Sequence, residues 1–319
     1  MTTGTFRTKH IFGPVASHRL GASLGVDLIY HKLCTLNCMY CECGPTTFQT
    51  LKRRAYIPVS PVIAELNSVL PELEGKLNFV TFAGSGEPTL STEIRPICDA
   101  VHSLTSTPIA MLTNGTILYR PDVIEDIQDI DVLIPSLDAA DPDVFNILNK
   151  PHPDLDFYQY IEGLKQLKSV FKGKVWLEVL LVKQINDKPD HLKHLADIIN
   201  EIDPDEIQLH TAIRPGAYPG IKKLSPEELE EAAAIMNIKP QKQASRKHIP
   251  INNSATLDGV TTAILEVLQR RPSSQSDLIE SLGFPPIRVI KGLNRLEHVR
   301  SIERIEENEK TFFRIVKSK

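Results

Sequence analysis

Cys34, Cys38 and Cys41 are the residues best suited to chemistry: three of the five cysteines in a chain of 319 residues, within Cys34-Thr35-Leu36-Asn37-Cys38-Met39-Tyr40-Cys41. The C-x3-C-x2-C spacing gathers three thiolates on one tight loop, and soft sulfur ligands suit an iron–sulfur cluster. In a [4Fe–4S] cluster, three local cysteines leave one iron without a protein thiolate and open to an outside ligand. The same residues admit zinc, with a histidine or Cys43 as fourth ligand. Disulfides are the third option, against which stand the odd cysteine count and the lack of an apolar signal-type stretch in Met1 to Lys9.

A second candidate element is Gly84-Ser85-Gly86-Glu87-Pro88. A glycine-rich loop exposes backbone N–H and C=O groups and lets a ligand approach closely. The alternative is a tight turn with Glu87 capping the helix that follows. Asn114, Ser136 and Asp138 stand at the ends of apolar runs, where a hydroxyl or carboxylate can bond a ribose diol or simply cap a loop. Glu178 lies among apolar residues and needs a partner if it faces inward, with Lys183 following it. His210 and Arg214 follow the last run, and Arg214 can clamp a carboxylate or phosphate or pair with a surface acid. Cys43 is expected to be a bystander and Cys98 a core residue.

The elements that must position these residues alternate. Apolar runs over 24–30, 79–82, 108–112, 132–137, 174–182 and 206–209 read as strands. Helical periodicity falls over 93–104, from Pro121, from Pro142, over 157–170 and over 189–202. Before the first strand, 12–21 reads as a lead-in punctuated by glycine and proline. Strands alternating with helices imply a parallel sheet covered by helices, curled by right-handed crossovers into a full or partial barrel. Sites in such folds form where the strands end, and the cysteine loop follows the first strand. Further on, Ser225-Pro226-Glu227-Glu228 predicts a capped helix start.

Composition is that of a globular protein, with 41% hydrophobic and 24% charged residues. No apolar run has the length of a membrane span. Free thiols and an oxygen-sensitive cluster point to the cytoplasm. The net charge of −4 carries no overall nucleic-acid signature.

The cysteine loop, with aromatic Tyr40 before its last cysteine, resembles the signature of the radical S-adenosylmethionine (SAM) superfamily. Gly84 to Glu87 resembles the superfamily's "GGE" element, with Ser85 as a departure. Together with Phe12-Gly13-Pro14-Val15, Leu24 to Leu28, Ser136-Leu137-Asp138-Ala139 and Arg214-Pro215, these motifs are similar to the branch of stand-alone Fe–S oxidoreductases related to the wybutosine tRNA-modification enzymes. The resemblance covers about 10–220. It implies a partial (β/α)6 TIM-like barrel and one [4Fe–4S] cluster on Cys34, Cys38 and Cys41. It also implies SAM chelated by the open iron, and reductive cleavage of SAM to a 5′-deoxyadenosyl radical. Tyr40, Gly84, Ser85, Gly86, Glu87, Asn114, Ser136, Asp138 and Glu178 become the expected cofactor-binding residues. A flavodoxin- or ferredoxin-type electron donor becomes the expected partner. The wybutosine enzymes carry further N-terminal cysteines, whereas none precedes Cys34 here, which argues against direct transfer of the tRNA activity.

The chain is expected to divide into a core at 1–238, a linker at 239–254 and a small unit at 255–319. Three helices, over 260–270, 276–282 and 285–296, and two strands around Glu306-Glu307-Asn308-Glu309 resemble a winged helix-turn-helix. The small unit has eleven Lys/Arg against nine Asp/Glu, a net of +2 (11 − 9). Arg288, Lys291 and Arg295 share one helix face, on which tRNA, DNA or a peptide can dock, while the acidic tip works against nucleic acid. On this reading 255–319 captures a macromolecular substrate and is dispensable for SAM cleavage. The competing class is a zinc-stabilised nucleic-acid-binding regulator without catalysis.

Overall fold

The computed structural model describes residues 10–17, 19–239 and 256–316. It opens on an antiparallel pair, β1 (Ile11–Ser17) and β2 (Gly21–Val26), with Ile11 opposite Val26 and Ser17 opposite Gly21. The stretch that glycine and proline mark as a lead-in is therefore largely an edge strand, where proline's missing N–H is tolerated. The register shifts between Phe12 and Val15 around Gly13-Pro14. β2 stops at Val26 rather than Tyr30, because Asp27 turns its carboxylate onto the Ile29 N–H at 3.3 Å and ends the extended run.

Two short parallel strands, β3 (Leu33–Cys34) and β4 (Phe48–Gln49), bracket the cysteine loop. Helix α1 (Val59–Val69) follows, unanticipated from the sequence, burying Val62, Leu66 and Val69. Then come β5 (Phe79–Phe82), α2 (Ile94–Leu104), β6 (Ile109–Thr113), α3 (Pro121–Asp126) and β7 (Val132–Pro135). The alternation continues through α4 (Pro142–Leu148), α5 (Phe157–Val170), β8 (Lys174–Leu181), α6 (Pro189–Ile202) and β9 (Glu206–Thr211).

The sheet order is β1-β2-β5-β6-β7-β8-β9, and every pairing from β2 onward is parallel. Among the described residues β1 and β9 are its edges, so the sheet stays open. This is a mixed α/β fold on a parallel sheet, consistent with a partial barrel. Strand side chains alternate between faces. Val80, Met111, Leu133 and Leu177 join the core under the helices, with Leu66, Ile97, Leu164 and Leu195. On the other face Leu20, Ala110, Val132 and Ile134 form a separate apolar plug with Phe79 and Trp176. Beyond the plug Ser136 and Glu178 stand opposite each other on neighbouring strands.

Helix α7 (Pro226–Ile235) starts on the expected capping box between Ser225 and Glu228. Beyond Lys239, the linker expected over 239–254 lies outside the described residues, as does Met1 to Lys9. The last elements are α8 (Leu257–Arg270), α9 (Gln275–Leu282), α10 (Pro286–His298) and a hairpin of β10 (Ile302–Glu307) and β11 (Lys310–Ile315). They enclose an apolar cluster of their own, including Val260, Ile264, Leu278, Leu293 and Phe313. Gly283, in the left-handed conformation, ends α9. Among the described residues no helix is long and apolar enough to cross a membrane.

Candidate active site

The cysteine loop is held by backbone hydrogen bonds and by the side chains of Thr35 and Asn37, which bond Thr116 Oγ1 and the Tyr218 hydroxyl at 2.7 Å each. Asn37 N–H donates to the Asn149 carbonyl at 3.0 Å, Met39 N–H to Leu148 at 2.8 Å, and Thr50 N–H to Cys34 at 3.0 Å. Each of the three sulfurs then faces a nitrogen donor. Asn114 Nδ2 is 3.4 Å from Cys34 Sγ, Asn149 Nδ2 is 3.5 Å from Cys38 Sγ, and Lys32 Nζ is 3.3 Å from Cys41 Sγ. Burial pushes the Cys34 thiol up to about 12 and the Cys38 thiol well above its usual value. Cys41 goes the other way, to about 6, through its hydrogen bond with Cys43 and the charge of Lys32. All five cysteines are free thiols.

The donor set fits an iron–sulfur cluster. Three soft ligands share one loop, and their N–H partners can carry the negative charge of thiolates.

The glycine-rich loop docks directly on this element. Lys32 N–H donates to the Ser85 carbonyl at 2.7 Å, and Glu87 N–H to the Leu33 carbonyl at 3.0 Å. A Cβ on Gly86 would overlap the Leu33 carbonyl oxygen, and one on Gly84 would overlap the Asp27 carboxylate, so only glycine allows the approach. Glu87 is buried and committed inward. Its carboxylate accepts from Thr89 N at 3.0 Å, Thr113 Oγ1 at 2.6 Å and Asn114 N at 2.8 Å. Burial nonetheless raises its pKa. The side chain thus ties the loop to the end of β6, and this places Asn114, whose amide also donates to Thr35 Oγ1 at 2.8 Å.

Asp138, expected as a ligand at the strand ends, does not line the cavity. Its carboxylate turns inward and accepts from Leu180 N at 2.9 Å, Asn149 Nδ2 at 3.1 Å and the Tyr40 hydroxyl. Burial pushes its pKa up to about 6. Asp138 therefore positions Tyr40 and the donor to Cys38. Lys183 pairs with Glu228 of α7, away from the cavity. Cys98 is buried in the core. His210 lies on β9 and is not part of the cavity wall.

Cys34, Tyr40, Cys41, the Gly84–Glu87 loop, Asn114, Ser136 and Glu178 all line one cavity of about 1080 Å³. Cys38 lies behind that wall. Cys43 and Arg214 also line it. Sequence reasoning missed Arg19, which pairs with Glu178, and Asp27, which accepts from Ser85 N at 3.3 Å. It also missed Lys32 and Glu42, whose only signal was adjacency to the cysteines. The largest omission is one side of α8 and the end of α9: Ala263, Val267, Arg270, Arg271 and Leu282 complete the cavity wall.

An open parallel sheet with a three-cysteine loop and a glycine-rich loop at one mouth defines a cofactor-using α/β protein. The family model of the Radical SAM superfamily matches residues 28–196, more than half of the chain. The chain is 40% identical over 232 residues to a protein named GTPase Obg from Brachyspira hyodysenteriae, covering 72% of this chain and 34% of that one. It is 30% identical over 228 residues to a UPF0026 protein of Methanocaldococcus jannaschii, covering 71% and 70% respectively. The crystal structure of a radical SAM methyltransferase from Sphaerobacter thermophilus superposes with a TM-score of 0.51 at 15% identity, over 69% of this chain and 65% of that one, a likeness of fold. The chain belongs to the Radical SAM superfamily, whose members are enzymes that use a [4Fe–4S] cluster and SAM. It spans about a third of the first of these relatives.

Proposed function

We propose that the chain is a radical SAM enzyme that holds one [4Fe–4S] cluster on Cys34, Cys38 and Cys41 and binds SAM in the adjoining cavity. When bound and reduced, the cluster supplies the electron that splits SAM into methionine and a 5′-deoxyadenosyl radical. The observation that carries this reading is the docking of the glycine-rich loop on the cysteine loop, so that both face one cavity with Ser136 and Glu178. The chain's own residues have distinct tasks. Lys32, Asn114 and Asn149 donate to the three sulfurs and favour their thiolate form. Gly84 to Gly86 offer backbone groups to the ligand, with Glu87 fixing their position. Tyr40, whose hydroxyl is held by Asp138, lines the cavity. A flavodoxin- or ferredoxin-type protein delivers the electron, and a reducing cytoplasm suits the free thiols.

We read α8 to α10 and the hairpin as a winged helix-turn-helix-like unit at 255–319, joined to a core at 1–238 by a linker at 239–254. Its separate apolar cluster supports this division. The basic face is partly used: Arg295 pairs with Asp258 at 2.7 Å. The hairpin tip leans on the core, with Lys223 Nζ 3.3 Å from the Asn308 carbonyl. The basic face stays open to a partner, with Lys291 and Arg295 exposed, while the contribution of α8 and α9 to the cavity wall means that dispensability of the unit for SAM cleavage no longer follows. A tRNA or peptide target would have to insert a single nucleotide or side chain into the cavity.

Anaerobic reconstitution should load about four irons per chain, and dithionite with SAM should then yield 5′-deoxyadenosine. Cys38→Ala should abolish both. A Cys38→Ala chain that still loaded iron and cleaved SAM would refute the assignment.

A further inference from the structure

The end of α8 brings two consecutive arginines to the cavity wall, and they are not equally occupied. Arg270 Nη1 lies 3.3 Å from Asp27 Oδ2, and its guanidinium stacks 3.8 Å over the Phe12 ring. Arg214 bridges Glu42 at 3.1 Å and Asp277 at 3.4 Å, and Arg19 is paired with Glu178. Among the described residues Arg271 makes one ion-pair contact, at 3.5 Å, to a Glu42 oxygen that also takes Arg214 at 3.4 Å. Asp277, the other nearby acid, shares its carboxylate with the Ser274 N–H as part of the α9 capping box. Arg271 keeps 37% of its side-chain surface while lining the cavity, so a ligand can reach it. Loss of hydration, with repulsion from Arg214, lowers its pKa from the usual arginine value. A partly dehydrated cation with half a carboxylate gains by binding an anion.

The cavity sets the size of that anion's carrier. At about 1080 Å³ it is at the upper end of single-ligand pockets, which run to ~1,000 Å³. It therefore has room for SAM and one further small molecule beneath α8 and α9.

We propose that Arg271 is the anchor for the second substrate, a small molecule bearing a carboxylate or phosphate group bound beneath α8. A guanidinium fork receives either group in two parallel hydrogen bonds. The proposal rests on the SAM reading above, in that the target must lie in the same cavity as the radical source. It makes the α8 end a specificity element of the reaction and not an outer docking device.

The test uses the full chain, both as purified and after anaerobic iron loading with saturating SAM. Inorganic pyrophosphate and citrate, one phosphate and one carboxylate probe, are titrated calorimetrically into wild type, Arg271→Gln, Arg271→Lys and Arg304→Gln. Arg304 is a control on the far hairpin, paired with Glu297 at 2.6 Å. At least one probe should bind wild type and the Arg304 variant alike, should bind Arg271→Gln at least tenfold more weakly, and should recover in part in Arg271→Lys. Iron content and SAM affinity should be the same in all four chains. The proposal is overturned if neither probe binds wild type, if Arg271→Gln binds as wild type does, or if that variant loses SAM affinity in step, which would make Arg271 a SAM ligand. Failure of wild type to load iron would sink the cofactor reading alone, because the titration of the purified chain still decides the role of Arg271.

Discussion

The cavity has a floor and a roof that are secured by different physics. The floor is the cysteine loop and the Gly84–Glu87 loop, joined by backbone hydrogen bonds such as Lys32 to Ser85 at 2.7 Å and by a glycine contact no side chain could replace. The roof is α8 and α9, tied to the core by guanidinium–carboxylate pairs that retain solvent contact, among them Arg270–Asp27 and Arg271–Glu42. Buried backbone bonds are insensitive to ionic strength and costly to leave unmade. Partly exposed ion pairs are worth ~0–1 kcal/mol each and are screened by salt. The cofactor side is thus built to be fixed, and the substrate side to be adjustable. The two sides meet at Asp27, which accepts from Ser85 N on the floor and from Arg270 on the roof.

The sharpest way to break this contrast is a substitution in the floor. Gly86→Ala sets a Cβ against the Leu33 carbonyl oxygen, and backbone cannot swing aside as a side chain can. Overpacking of this kind costs ~1–3 kcal/mol. Urea unfolding should show a lower midpoint, and the variant should lose SAM binding even where iron still loads. A Gly86→Ala chain with wild-type SAM affinity would mean that the loop is not as tightly seated as its contacts show.

A smaller effect is expected from the roof. Arg270→Gln removes one mostly buried pair, its side chains 28% and 12% exposed, and one cation–π stack, together on the order of 1 kcal/mol. Iron content should be unchanged, and SAM affinity should fall only several-fold, through the loosened Asp27. Raising the salt from ~0.1 to ~1 M should weaken SAM binding in wild type more than in the variant, since the variant has already lost the screened pair. If Arg270→Gln proves as damaging as Gly86→Ala, the roof is as rigid as the floor.

The same contrast explains what was legible in the sequence. The floor is written locally: three cysteines and a glycine-rich loop lie in short, recognisable runs. The strand β5 and the helices α5 and α6 fall where their periodicity places them. Helix α1 was hidden because Pro58 and Pro61 interrupt its start, although Val62, Leu66 and Val69 carry the helical spacing. Asp138 misled because a polar residue at a strand end reads as facing the mouth, whereas Leu180 N and Asn149 draw its carboxylate in. The helices of the roof are legible over 260–270 and 276–282, but their contacts with the core have no local signal. Arg270 meets Asp27 and Arg271 meets Glu42 across more than 200 residues of chain, and nothing near either arginine distinguishes them from a solvated helix end.

The central claim is that Cys34 and Cys41, with Cys38 just behind them, open on the same cavity as the SAM site, so that an iron bound by these cysteines is exposed to SAM. Electron paramagnetic resonance of the reconstituted, dithionite-reduced chain, recorded before and after SAM is added, tests it most directly. The account predicts the signal of one reduced [4Fe–4S] cluster whose g-values shift on SAM addition, with Cys43→Ala behaving as wild type and Cys38→Ala silent. Zinc in place of iron, or a cluster signal that SAM leaves unmoved, would contradict it.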